Sequence, residues 1–145
     1  MKFVNVGVVC ALILSGCTSQ KAISNIDNSL VKRVEKANLA YDEVRLDRAE
    51  ALFLAIVQEN PTYIDAWLRL GSIYTKRMKF KAAIRCFEEA LKIDQEDGRA
   101  WYNLALVRLA QATDTLETAT QIVPLDSKYQ PHFMRLHKRL MIKKN

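Results

Sequence analysis

The sequence predicts an all-α fold: helical hairpins stacked into a short solenoid and closed by a C-terminal helix. Two observations predict it. The first is a period. Trp67 and Trp101 stand 34 residues apart, and the same offset pairs Ala49 with Ala83, Phe53 with Phe87, Ala66 with Ala100, Leu70 with Leu104 and Asn60 with Asp94. A sustained period of this size marks a repeat architecture, in which each unit buries its apolar face against its neighbours. The second is the spacing inside the period. Trp67, Leu70, Gly71 and Tyr74 lie at i, i+3, i+4 and i+7, one stripe of a helix, and Ala83, Phe87, Ala90 and Leu91 form the matching stripe of a partner helix. The 145 residues are the material of one domain.

The chain opens on Met1-Lys2, a positive charge, and a short apolar run from Phe3 to Leu14. Such a run reads as the core of a secretory signal peptide. It is too short to cross a bilayer, which needs about 20 apolar residues. Leu14-Ser15-Gly16-Cys17 resembles the lipobox of bacterial lipoproteins. That resemblance implies a cleaved signal over residues 1–16 and a lipidated Cys17, whose acyl chains would hold the mature chain at a membrane. Thr18, where an acidic residue would favour retention at the inner membrane, implies the outer membrane, with the domain facing the periplasm. Residues 17–29 are mostly polar, with Ala22, Ile23 and Ile26 as apolar exceptions after the anchor, and are expected to form a lipidated tether.

Residues 30–125 carry the repeats, in units of about 30–61, 64–97 and 98–125. In the central unit, Trp67, Leu70, Gly71, Tyr74, Ala83, Phe87 and Ala90 resemble the tetratricopeptide repeat pattern. The resemblance implies hairpins stacked as a right-handed solenoid. A small residue at Gly71 lets the second helix approach, and the Phe87 ring fills the space beside it. The outer units are less regular. In the first, Arg33 takes the tryptophan place and Ala37 the glycine place, while the second helix is clear from Leu46 to Pro61. The third begins well with Trp101, Leu104 and Ala105 and then decays: Glu117, Gln121 and Pro124 stand where Ala83, Phe87 and Ala90 stood. Asp114-x-x-Glu117 reads as a capping box opening a short helix that Pro124 ends. Residues 126–145 read as a basic capping helix, with Phe133, Leu136 and Leu140 as its apolar stripe and Arg135, Lys138, Arg139, Lys143 and Lys144 over the rest. The alternative for this helix is contact with anionic lipid or polymer.

No residue set points to catalysis, a metal or a cofactor. Gly71 and Gly98 lie outside any phosphate-cradling loop. His132 and His137 are five apart and do not share a helix face as metal ligands would. Of three cysteines, Cys10 would leave with the signal and Cys17 would carry lipid, so Cys86 has no partner for an internal disulfide. Loss of Lys2 with the signal lowers the formal charge from +6 to +5, a mild excess suited to anionic lipid or an acidic partner surface. Nucleic acid and small-molecule substrates are not expected.

The packing stripe on each unit's first helix leaves another face free. In the central unit that face carries Asp65, Arg69, Ser72 and Lys76; in the next, Arg99, Tyr102, Asn103 and Leu106; in the first, Asn38 and Tyr41. Stacked side by side they line one groove, with Arg69, Lys76 and Arg99 as its cations. Arginine grips a carboxylate with two hydrogen bonds, so the mixture suits a peptide bearing acidic groups, with Arg69, Arg99 and Tyr102 as main contacts. The repeat resemblance implies a protein–protein interaction adaptor. Joined to the lipobox, it is similar to the outer-membrane lipoproteins of Flp/Tad and type IV pilus assembly. That similarity implies envelope partners, secretin or pilus components among them, and a role in assembling a surface pilus or secretion machine. A scaffold for cell-wall synthesis or outer-membrane protein assembly is the alternative.

Overall fold

A computed structural model describes residues 18–142. The residues read as a signal peptide and lipobox, Cys17 included, lie outside the described residues, as do Lys143 and Lys144. Six helices follow one another: α1 (Thr18–Asp42), α2 (Leu46–Glu59), α3 (Ile64–Lys76), α4 (Phe80–Ile93), α5 (Gly98–Ile122) and α6 (Gln130–Ile142). The all-α reading and the stacked hairpins are borne out. Helices α1 and α2 pair, α3 and α4 pair, and α5 packs on α4 and is covered in turn by α6.

Two cores form between these layers. One joins Ala37 and Ala40 of α1, Phe53, Ile56 and Val57 of α2, and Leu70 and Ile73 of α3. The other joins Leu68 of α3, Ala83, Phe87 and Ala90 of α4, and Ala100, Leu104 and Val107 of α5. Trp67 and Tyr74 touch both, so the first helix of the central unit is the wall the cores share. Gly71 makes the α3–α4 contact possible. A Cβ at that position would meet the Phe87 ring well inside van der Waals contact. Each tryptophan also closes a turn: the Trp67 indole N–H donates to the Pro61 carbonyl at 2.8 Å, and that of Trp101 to the Gln95 carbonyl at 2.8 Å. Arg77, at the end of α3, donates to Glu50 and Asp47 of α2, each at 2.5 Å, and ties the second hairpin to the first.

The hairpin turns repeat as the sequence does. Val44 and Met78, again 34 apart, both sit in the left-handed region at φ 59° and 57°. Behind each, a backbone N–H reaches back five residues, Arg45 to the Ala40 carbonyl and Lys79 to the Tyr74 carbonyl, as in a Schellman closure. Both turn residues point into solvent.

Three expectations are corrected. Residues 18–29, read as part of a tether separate from the repeats, belong to helix α1. The stretch holds neither proline nor glycine to stop a helix entering from Ser29. The third unit is not a hairpin: α5 runs unbroken through Asp114 and Glu117, so no capping box opens there. No turn-forming residue interrupts the stretch. The Thr113 and Thr115 hydroxyls donate to the carbonyls of Leu109 and Gln111 instead of competing for a cap. The helix ends before Pro124, as expected. On α6, Phe133 and Leu140 are half-buried but Leu136 is exposed; Gln130 and His137 share the inward side in its place. The Gln130 amide donates to the carbonyls of Thr120 and Val123 and caps the end of α5.

Two stability predictions follow from this packing. Phe87→Ala should lower stability by roughly 3–5 kcal/mol through the cavity it leaves. Gly71→Ala should cost about 1–3 kcal/mol through overpacking against the same ring. Urea unfolding followed by circular dichroism measures both, and an unchanged midpoint for either would show that α3 and α4 do not meet there. Val44→Gly should raise stability. It relieves a β-branched side chain in the left-handed region, worth about 1–2 kcal/mol, against an entropic cost of about 0.5–1 kcal/mol for glycine. A thermal melt should shift upward by a few degrees, and a downward shift would show that the turn is not strained.

Candidate functional site

Stacking brings the first helices α1, α3 and α5 to one side, where they enclose a groove of about 740 Å³. Seven of the nine groove residues expected from the sequence line it: Asn38 from α1, Asp65, Arg69 and Ser72 from α3, and Arg99, Tyr102 and Asn103 from α5. The other two stand at its edge. Tyr41 of α1 lies under two cations of α3, with the Arg69 guanidinium carbon 5.0 Å and the Lys76 ammonium 5.5 Å from its ring centre. Val34, Phe53, Tyr63, Leu68 and Gly98 complete the lining and are not expected from the free-face pattern. Val34 sits one turn before Asn38, a signal the sequence does hold. Phe53 is a core residue of α2 seen through the gap between first helices, and nothing in its own spacing marks it.

The polar groups differ in how far they are already engaged. Arg99 is spent. Its guanidinium donates to Asp65 at 2.7 Å and to both Asp97 oxygens at 2.7 and 3.2 Å. Those bonds hold the guanidinium proton more tightly than usual, the Asp97 bond first and the Asp65 bond next. Asp97 also accepts from the backbone N–H groups of Arg99 and Ala100, at 2.8 and 3.2 Å, and so caps α5. The Arg99 side-chain bond leads these in pulling the Asp97 carboxyl below its ordinary value, against the effect of burial. The expectation that Arg99 grips an incoming carboxylate is therefore corrected: two carboxylates of the same chain already occupy its fork. Ser72 donates to the Leu68 carbonyl at 2.9 Å and Asn103 to the Arg99 carbonyl at 2.8 Å, so these donors are turned back on the helix.

Three groups remain open. Arg69 and Lys76 form no ion pair among the described residues. The Asn38 Oδ1 atom is buried with no hydrogen-bond partner among them. A buried amide oxygen without a partner costs about 1–3 kcal/mol. The groove thus holds an acceptor awaiting a donor and, one turn away beside Tyr41, two cations awaiting an anion. Its wall carries the exposed Tyr102 ring. Cys86 lies elsewhere, in the core, where burial pushes its thiol up to about 12.

Residues 64–97 match the family described as Tetratricopeptide repeat, as the spacing of the central unit implies. Over 85 residues, 59% of this chain, the sequence is 33% identical to a peroxisomal targeting signal receptor of Pichia angusta and 32% identical to one of Candida albicans, matching 15% and 14% of those proteins. A peroxisomal targeting signal receptor of Saccharomyces cerevisiae is 37% identical over 70 residues, 48% of this chain and 11% of that protein. The chain thus spans a small part of each relative's length. These relatives overturn the outer-membrane placement, since they are peroxisomal targeting signal receptors and not outer-membrane lipoproteins. A lipobox rests on four residues after an apolar run, which is far weaker ground than similarity sustained over 85 residues.

Proposed function

We propose that this chain is a non-enzymatic protein–protein interaction module that holds an extended, acidic segment of a partner protein in the groove between α1, α3 and α5. The observation that carries this reading is the conjunction of open groups: Asn38 Oδ1 buried without a partner, and Arg69 and Lys76 unpaired over Tyr41. An extended peptide supplies what each lacks. Its backbone N–H satisfies the asparagine oxygen, and a carboxylate satisfies the cations with charge-assisted bonds. Val34, Tyr63 and the exposed Tyr102 ring on the groove wall add apolar surface for a side chain between those anchors. The role in the relatives' names, reception of a targeting signal, is of this kind, and makes a targeting segment of a client protein the first partner to try. A secretin, a pilus component or a cell-wall enzyme finds no particular support in the groove, because those readings rested on the repeat resemblance joined to the N-terminal lipobox and not on the groove's open groups.

Fluorescently labelled peptides, acidic and with each carboxylate replaced by its amide, test the reading by anisotropy. The acidic form should bind more tightly, and the difference should shrink with salt as exposed charges are screened. Arg69→Glu/Lys76→Glu should weaken the acidic peptide by at least about tenfold, the scale of removing two hydrogen bonds to charged groups. Asn38→Ala should weaken both peptides alike. The control pair Arg85→Glu/Lys92→Glu, on α4 outside the groove, removes the same charge. Equal weakening by the control would mean that net charge and not the groove holds the peptide.

A further inference from the structure

We infer a second docking site, on the side of α5 that no described helix covers: a seat for one α-helix of a partner protein, carrying a leucine between small residues with the spacing of α4. The inference rests on comparing two units that the sequence makes equivalent. Trp67 and Trp101 are pinned alike, each indole N–H donating at 2.8 Å to the carbonyl six residues before it. Around Trp67, helix α4 closes the hairpin, and the ring is half-buried between the two cores. Trp101 is held in the same way but is 54% exposed. Ala105, in the place of Gly71, is exposed as well.

The cause is the missing turn. Met78 breaks the chain after α3 in the left-handed region, whereas Ala112, 34 residues on, is inside helix α5. No described helix folds back over the first half of α5. Helix α6 returns mainly along the second half, where Gln130 bonds the Thr120 and Val123 carbonyls and His137 Nε2 stands 3.6 Å from Glu117; its Leu140 shares a cavity with Leu106 and Leu109, while Trp101 and Ala105 stay exposed. The open stretch is continuous with that interface. Ala105, Leu109, Ala112 and the buried Leu116 are spaced four, three and four apart, one stripe of the helix. Trp101 and Leu106 flank the open part, Leu106 at 44% exposure.

The seat selects its occupant. Two alanines on the stripe let another helix backbone come close, as Gly71 does for α4. Ala105 carries the Cβ that Gly71 lacks, and at Gly71 a Cβ would strike the Phe87 ring. The side chain placed there must be smaller than phenylalanine, and leucine is the helix-favouring choice. A second copy of this chain is disfavoured as occupant by its own +6 charge.

The probe is the α4 sequence, Phe80–Ile93, synthesised with Phe87→Leu and Cys86→Ala and side-chain stapled, because an unstapled helix of this length is marginal in water. The full chain is titrated into the labelled probe. Saturable binding is expected. It should weaken at least about tenfold with Ala105→Glu, which would bury an unpaired carboxylate. Arg69→Glu/Lys76→Glu should leave it unchanged, which separates this site from the groove. A probe retaining phenylalanine should bind several-fold more weakly. Circular dichroism should show Ala105→Glu folded, since that side chain is exposed. No binding by the stapled probe, binding indifferent to Ala105→Glu, or a chain that sediments as a dimer dissociated by Ala105→Glu would each overturn the inference.

Discussion

The Phe87 ring of α4 packs directly over the backbone of Gly71 in α3, and the rest of the stack depends on that contact. With no Cβ in the way, α4 settles onto α3 at a distance that lets Trp67 and Tyr74 reach both cores at once. Burial first, and then a hydrogen bond to Glu50, push the Tyr74 hydroxyl up to about 12. Glu50 also receives Arg77, so the same carboxylate links α2, α3 and the turn. Interiors pack like crystals, and a shift of α3 by a methyl's width would be felt in both cores. It would also move the groove, since Asp65, Arg69, Ser72 and Lys76 ride on the opposite side of that helix.

In the groove, what matters is which charges are already answered. The free face carries three cations, Arg69, Lys76 and Arg99. Geometry leaves two, because Arg99 lies between Asp65 and Asp97. Its work is internal: it joins α3 to the start of α5 and supports the Asp97 cap. Arg69 and Lys76 share a ring instead of a carboxylate. A cation over an aromatic face in an exposed place is held by only about 0.5–1 kcal/mol, weakly enough to be redirected to an anion. This asymmetry underlies the proposal that a carboxylate of the bound segment is met by Arg69 and Lys76 and not by Arg99.

The third unit shows how a repeat ends. The period persists in Trp101, Leu104 and Ala105, but the turn does not, and one long helix replaces a hairpin. Helix α6 then covers mainly its second half. The described chain therefore has one face completed by its own helices and one left partly open, and the open part carries the same tryptophan anchor that the closed part uses.

Much of this was legible in the residues. The 34-residue period and the three-and-four spacing determined the all-α class, the central hairpin and the face that became the groove, because stacking depends on which side chains recur and not on distant contacts. Seven of nine expected groove residues line it for the same reason: face membership on a helix is local geometry. Other features belong to the tertiary structure alone. Whether Arg99 is free depends on Asp65, one repeat away in sequence and 2.7 Å away in space. Whether the Asn38 oxygen finds a partner depends on which side chains the stacking brings around it. Asp114-x-x-Glu117 misstates the extent of α5, since a capping box forms only where the backbone has left the helix, and nothing between Gly98 and Pro124 makes it leave. The N-terminal lipobox pointed to an outer membrane that the similarity of the repeats does not support. A motif of a few residues carries chemistry only in its context, while a packed repeat brings its context with it.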